Sequence, residues 1–287
     1  MNNKEHPDDD GDDGQRTKRF LLIGETGVGK THIVNVLCGT DYVVSDSAIG
    51  TTFEFQKAHC RNIGRDDIEL IDTIGLSEGD AGRVHPAVAF AKLVAFARDS
   101  GQGFNGIILV VGSPKVTKSM QENYRLFVET ITNKKLPCYL FINKQEFEDY
   151  KNQYQKNHDL YQSAGFNFEC GFAGGCKIEA VREHTIDEFE RCFDMAPGKA
   201  ERLYEPQGFL QFIRTLWRNV RDFFARLFGE AYGTPDLEDE SLVGIFVRLG
   251  VPEHIARSVA LKINAYGVSD ELIKQLEAHL AQGSFKK

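Results

Sequence analysis

No uninterrupted apolar stretch in this sequence outruns Ile107–Val111, far too short to cross a bilayer. The opening residues carry no apolar signal segment, so the expected location is intracellular and cytoplasmic. Basic charge is not in excess: 34 Lys and Arg face 42 Asp and Glu, a net charge of −8, which argues against general nucleic-acid binding and predicts no nucleic-acid partner. None of the six cysteines (Cys38, Cys60, Cys138, Cys170, Cys176, Cys192) forms a Cys-x-x-Cys pair. Without that spacing, and inside a reducing compartment, they read as buried or half-buried reduced thiols rather than a disulfide or zinc site. Tryptophan is nearly absent too, Trp217 being the only one.

What the chain does have is bulk. With 287 residues, 41% of them hydrophobic, it can build one large domain and a small one. The Asp-rich opening (residues 1–17) has no apolar period and reads as a disordered acidic tail. From 18 to about 200, short β-rich runs alternate with helical patterns, which predicts an α/β fold, a mostly parallel sheet covered on both faces. Expected strands are Arg19–Ile23, Phe53–Arg61, Ile68–Asp72, Gly106–Val111, Cys138–Ile142 and a weaker one near Phe166–Cys170. Expected helices are Lys30–Cys38, Pro86–Arg98, Lys118–Thr132, Phe147–Gln162 and Ile186–Cys192.

Between the first strand and the first helix lies Gly24-Glu25-Thr26-Gly27-Val28-Gly29-Lys30-Thr31, followed by His32. Phosphates bring several negative charges that a compact loop can meet with inward-turned backbone N–H groups, and the glycines permit that turn. The helix N-terminus adds a positive end, Lys30 reaches the terminal phosphates, and the Thr31 hydroxyl can ligate Mg2+. Strand, loop, Lys-Thr pair and helix agree, so Gly24 to His32 form the expected nucleotide-binding loop.

A second motif, Asp72-Thr73-Ile74-Gly75, ends an apolar strand. Its acid can reach Mg2+ through water, and Gly75 can offer its N–H to the γ-phosphate. Ahead of it, Thr51-Thr52 precede a strand; either hydroxyl can ligate Mg2+ and be released on hydrolysis, and Thr52 is the preferred choice, although strand propensity alone also accounts for both. Gly24 to Thr31, Asp72 to Gly75 and Asn143 to Glu146 each sit at the expected carboxyl end of a strand, where open α/β sheets bind ligands.

Gly24 to Thr31, Gly50 to Gln56, Asp72 to Leu76 and Asn143 to Glu146 together resemble the translation-factor-type P-loop GTPases. Within them the chain is most similar to the septin-like group of immunity-associated (AIG1-type) nucleotide-binding proteins and chloroplast import receptors. The resemblance implies a three-layer P-loop sandwich, GTP and GDP with Mg2+ as cofactors, and Lys30, Thr52 and Gly75 as the groups acting on the γ-phosphate, with Thr31, Thr52 and Asp72 around the metal. It also implies that Asn143-Lys144-Gln145-Glu146 stands for the Asn-Lys-x-Asp guanine reader. The acid accepts from the Watson–Crick edge and the lysine stem packs on the ring. Here Glu146 replaces Asp, moving the carboxylate outward by about one bond length. Leu76 stands where Ras-like enzymes place the water-orienting glutamine, which implies slow hydrolysis. The septin-like group commonly assists hydrolysis by dimerising across the nucleotide face, so a homodimer or homo-oligomer through that face is expected, with Arg83 and His85 as candidates in trans by location or as plain loop polars. Ile74 departs from the family's proline, and Gly171 to Gly175 are the candidate for the last base-contacting loop.

Gln207 to Phe228 carries Phe209, Phe212, Ile213, Leu216, Val220, Phe223, Leu227 and Phe228 at helical spacing, with Arg214, Arg218, Arg221 and Arg226 elsewhere. This amphipathic basic helix (205–230) is read first as a core or domain-bridging element, with a membrane surface or a second copy as alternatives. A linker (231–240) and a small all-helical module (241–287), broken at Gly250-Val251-Pro252 and Gly267-Val268-Ser269, complete the expected plan. The function expected is a GTP-binding switch with slow hydrolysis. Its rivals are a P-loop ATPase or small-molecule kinase, and a non-hydrolysing nucleotide-binding scaffold.

Overall fold

The computed structural model describes residues 17–40, 54–60, 63, 67–74, 85–146, 150–204, 208–228, 241–266 and 269–283. Its centre is a six-stranded sheet: β1 (Thr17–Ile23), β2 (Glu54–Cys60), β3 (Asp67–Ile74), β4 (Gly106–Val111), β5 (Cys138–Ile142) and β6 (Cys170–Ala173), in the order β2-β3-β1-β4-β5-β6. All pairings are parallel except β2 with β3. Strands buried on both faces read as continuous apolar runs. Phe20 to Ile23 in β1 and all of β4 and β5 do so.

Alternation of side chains along each strand divides the core in two. Phe20, Leu22, Leu70, Ile108, Val110, Tyr139 and Phe141 face α1 (Lys30–Cys38) and α5 (Glu179–Met195). Leu21, Ile23, Ile71, Ile107, Leu109, Leu140 and Ile142 face the other layer. That layer holds α2 (Pro86–Asp99), α3 (Lys118–Asn123, continued by a π-helical segment Tyr124–Ile131), α4 (Gln153–Ser163), α6 (Phe209–Phe228), α7 (Leu242–Arg248), α8 (Glu253–Tyr266) and α9 (Asp270–Gly283).

Local chemistry starts and stops these helices. α2 opens on His85, whose Nδ1 accepts from the Ala87 N–H at 3.2 Å, with Pro86 at the first position. α3 opens on Thr117, whose hydroxyl accepts from Met120 N–H at 3.1 Å, and α7 on Ser241, which accepts from Gly244 N–H. α1 stops at Gly39, a left-handed residue at φ 61°.

The amphipathic helix is placed by its apolar stripe. Ile213, Leu216, Trp217, Val220 and Phe224 are buried against the domain while Arg214 and Arg218 are exposed. The Phe90 ring of α2 meets Trp217, Phe224 and Phe246 edge-on at 5.3, 6.3 and 5.9 Å. Lys92 pairs with Glu277, and Arg98 donates to the Ile263 carbonyl. The core-bridging reading of α6 therefore describes what the described part of its stripe does. Phe223, Leu227 and Phe228 have side chains outside the described set.

Several expectations are corrected. Cys38 and Cys60 form a disulfide, not two free thiols. The antiparallel return of β2 carries Cys60, paired with Ile68, back to the end of α1, a meeting hidden by a sequence separation of 22. Cys138, Cys170, Cys176 and Cys192 are free, as expected. The last strand starts at Cys170 rather than near Phe166. Phe166 and Phe168 stack on each other at 5.4 Å, and the Asn167 N–H donates to the Tyr124 phenol instead of a neighbouring strand. The helix expected at Lys118–Thr132 is α-helical only to Asn123, and that at Ile186–Cys192 is the longer α5.

Because Trp217 is 1% exposed, replacing it by alanine should destabilise the protein by about 3–5 kcal/mol in urea unfolding. Its fluorescence should be blue-shifted and unmoved by anionic vesicles; a vesicle-induced shift would mean that the stripe leaves its packing.

Candidate functional site

The parallel register sets Leu22 beside Asp72 on one side and Ile108 on the other, so the exits of β1, β3 and β4 share one edge of the sheet. The loop 24–29 turns there with three positive-φ glycines: Gly24 (φ 144°), Gly27 (φ 78°) and Gly29 (φ 97°). Gly24 has a second reason to be glycine, since a Cβ there would lie 2.1 Å from the Val110 carbonyl oxygen. Val28 is buried, Thr26 and Gly27 are exposed, and His32 points to solvent on the first turn of α1.

Lys30 is 5% exposed and donates from Nζ to the carbonyls of Gly24 and Glu25, at 2.8 and 2.9 Å. Burial pushes its ammonium pKa down, while the charges of Asp72 and Glu25 push it back up. Thr31 donates its hydroxyl to Asp72 Oδ2 at 2.7 Å. The other carboxylate oxygen, Oδ1, is buried and has no hydrogen-bond partner among the described residues. Burial raises the Asp72 pKa, opposed by Lys30 and then by the Thr31 bond. A buried carboxylate oxygen left bare beside a hydroxyl is uncomfortable by itself. Two hard oxygens on adjacent elements fit a Mg2+ ion, directly or through water. Thr73 donates to the Leu22 carbonyl, holding the end of β3 to β1.

Asn143 joins the second half of the site to the first. Its backbone N–H donates to Val111, and its side-chain Nδ2 to the Val28 carbonyl at 2.7 Å. Lys144, left-handed at φ 60°, lays its stem along the loop and donates from Nζ to the Gly27 carbonyl at 2.6 Å. Glu146, on the segment after β5, reaches the loop that follows β6, where its Oε1 accepts from the Lys177 N–H at 2.8 Å. The structure thus brings together Gly24 to His32, Asp72, Asn143, Lys144 and Glu146. Thr52, Gly75, Leu76 and Arg83 lie outside the described residues, whereas His85 serves as the cap of α2.

Three residues escaped the sequence reading. Thr117 donates to Glu25 Oε1 at 3.2 Å, linking α3 to the loop. Thr185, on α5, donates to the carbonyls of Gly175 and Val181 and accepts from the Gly175 N–H. Lys177 contributes through its main chain alone, where no motif can signal it. The candidate stretch Gly171 to Gly175 divides: Gly171 lies inside β6 against the Tyr154 ring, and only Gly174 and Gly175 reach Glu146's side of the site. The nearby Cys176 thiol is pushed up to about 11 by burial and then by the Glu146 charge, so it is protonated at neutral pH. A cavity of about 320 Å3, lined by Thr26, Gly112, Lys115, Thr117 and Lys144 among others, borders the loop.

Residues 19–144 match the model of the 50S ribosome-binding GTPase family, less than half of the chain. The chain is 27% identical over 136 residues to GTPase Der of Helicobacter hepaticus, covering 47% of this chain and 26% of that protein. It is 31% identical over 67 residues to GTPase Der of Streptococcus pyogenes, covering 23% and 15%. It thus spans about a quarter or less of the length of these curated relatives. Among solved structures, Era of Aquifex aeolicus bound to GDP and AlF4− gives a TM-score of 0.49 at 17% identity, covering 66% of this chain and 60% of that one. Era in complex with MgGDPNP and a 16S ribosomal RNA segment gives 0.48 at 17%, covering 67% and 60%. These sequence matches are to GTPases, and the family match lies within residues 19–144.

The two loop glycines predict different sensitivities. Gly27→Ala meets open space and should destabilise by about 1–2 kcal/mol through its positive φ alone. Gly24→Ala should add roughly 1–3 kcal/mol more, because a backbone oxygen stands in the way. Urea unfolding of the two variants checks the order.

Proposed function

We propose that the chain is a GTP-binding switch that hydrolyses GTP slowly with Mg2+ and signals by changing its association. The observation that carries this reading is the Thr31–Asp72 bond with its bare second oxygen, set beside buried Lys30 and the glycine loop. Lys30 and the loop amides stabilise phosphate charge. Thr31 and Asp72, joined by Thr52, hold the metal, which when bound withdraws charge from the phosphate oxygens. Thr52 and Gly75 sense the γ-phosphate. Asn143 and Lys144 fix the base loop to the phosphate loop, and Glu146 reads guanine.

Slow hydrolysis follows from Leu76, whose side chain has no group to orient water. Assistance from a second copy across the nucleotide face supplies what Leu76 lacks, in keeping with the AIG1-type, septin-like resemblance. A cytoplasmic location accords with the finding that no described helix is long and apolar enough to cross a membrane. The part of α6 that is described gives no support to a membrane surface, its stripe being packed on α2.

Titration with fluorescent GDP and ADP should show a preference for GDP, and Lys30→Ala should abolish binding of both. Retained affinity in that variant, or preference for ADP, rejects the reading. In single-turnover assays the rate per subunit should rise with protein concentration; a flat dependence removes the dimer from the mechanism while leaving nucleotide binding intact.

A further inference from the structure

Glu146 is one methylene longer than the acid that the guanine-reading tetrad ordinarily carries, and the structure shows where that length goes. Its side chain runs over the loop after β6 and accepts the Lys177 N–H with Oε1; among the described residues Oε2 takes no hydrogen bond. A Cβ built on Gly175 would lie 2.7 Å from both Glu146 Cγ and Oε1 and 3.1 Å from Cδ. Gly175 is not among the positive-φ glycines, so its backbone conformation is open to any residue. What requires glycine there is room. The loop has little freedom to retreat, because Thr185, 1% exposed, accepts the Gly175 N–H at 3.1 Å and shares its one hydroxyl proton between the Val181 and Gly175 carbonyls at 2.7 and 3.0 Å. Gly174 behind it is equally confined, a Cβ there meeting Thr185 Oγ1 at 2.2 Å. Between a pinned backbone and a solvent-facing side chain, the side chain yields.

We infer that Gly175 is a positioning residue for guanine specificity: its missing side chain is the space in which Glu146 lies, and any larger residue displaces the carboxylate that reads the base. The inference rests on the guanine assignment proposed above. It makes Glu146 and Gly175 one unit, the longer acid tolerated because the facing loop is bare.

The test is a double-mutant cycle on the full chain, with GDP and IDP as probes, the second lacking the 2-amino group that a carboxylate accepts. The parent should prefer GDP by about tenfold or more, the usual range for a hydrogen bond to a charged group. Gly175→Ala should bring the ratio near one and weaken GDP by a similar factor. Glu146→Ala should do the same, and adding Gly175→Ala to Glu146→Ala should change GDP affinity less than about twofold, the non-additivity of residues acting through one contact. A general structural role would instead weaken GDP and IDP equally. Should Gly175→Ala fail to fold alone yet fold with Glu146→Ala, the steric unit is supported; failure in both backgrounds overturns it. Equal GDP losses in both backgrounds, or a parent that prefers GDP to ADP but not to IDP, also overturn it while leaving the guanine reading standing or open to another contact. A parent that binds no GDP rejects that reading and this inference together.

Discussion

The parallel register of β1 between β3 and β4 is the constraint on which the site depends. It aligns three strand exits, so that a hydroxyl on the first turn of α1 meets a carboxylate at the end of β3. The same alignment presses Gly24 onto the Val110 carbonyl, which leaves the loop no choice but to turn outward over the sheet's edge. A backbone that close tolerates no side chain, and a loop so turned presents main-chain groups where anions bind. Geometry set by the sheet thus becomes electrostatics at the loop.

Lys30 and Asp72 illustrate how burial and pairing divide the work. Burial alone neutralises both, lowering the pKa of the amine and raising that of the acid; each charge restores the other. A site poised in this way gains from any ligand that brings a phosphate to the amine and a cation to the acid at once. Asn143 extends the arrangement sideways: its amide donates to the Val28 carbonyl and so links the loop after β5 to the loop after β1.

The turn at residues 24–29 was legible in the sequence because its signals are local: a glycine spacing, a Lys-Thr pair, and a strand and helix on either side. Asp72 and Asn143 were legible because each follows an apolar run that can only be a buried strand. Thr117, Thr185 and Lys177 were not, since a hydroxyl at a helix cap and a main-chain N–H leave no pattern that differs from any other turn. The Cys38–Cys60 bond failed for a related reason: spacing rules see neighbours in sequence, while the pairing depends on the antiparallel return of β2. Strand β6 was misplaced because Phe166 and Phe168 have strand propensity but spend it on stacking with each other. Helix α6 showed its stripe plainly, yet only the structure identifies Phe90 as what the stripe covers.

That cover arrives late. Phe90 leaves the ribosome more than a hundred residues before Trp217, Phe224 and Phe246 do. At the roughly 5–20 residues per second of translation, α2 keeps a bare aromatic flank for on the order of ten seconds. For most of that interval the sheet is itself unfinished, β5 (Cys138–Ile142) and β6 (Cys170–Ala173) being made after α2 as well, so the bare flank and the open sheet wait on the same later stretch of chain.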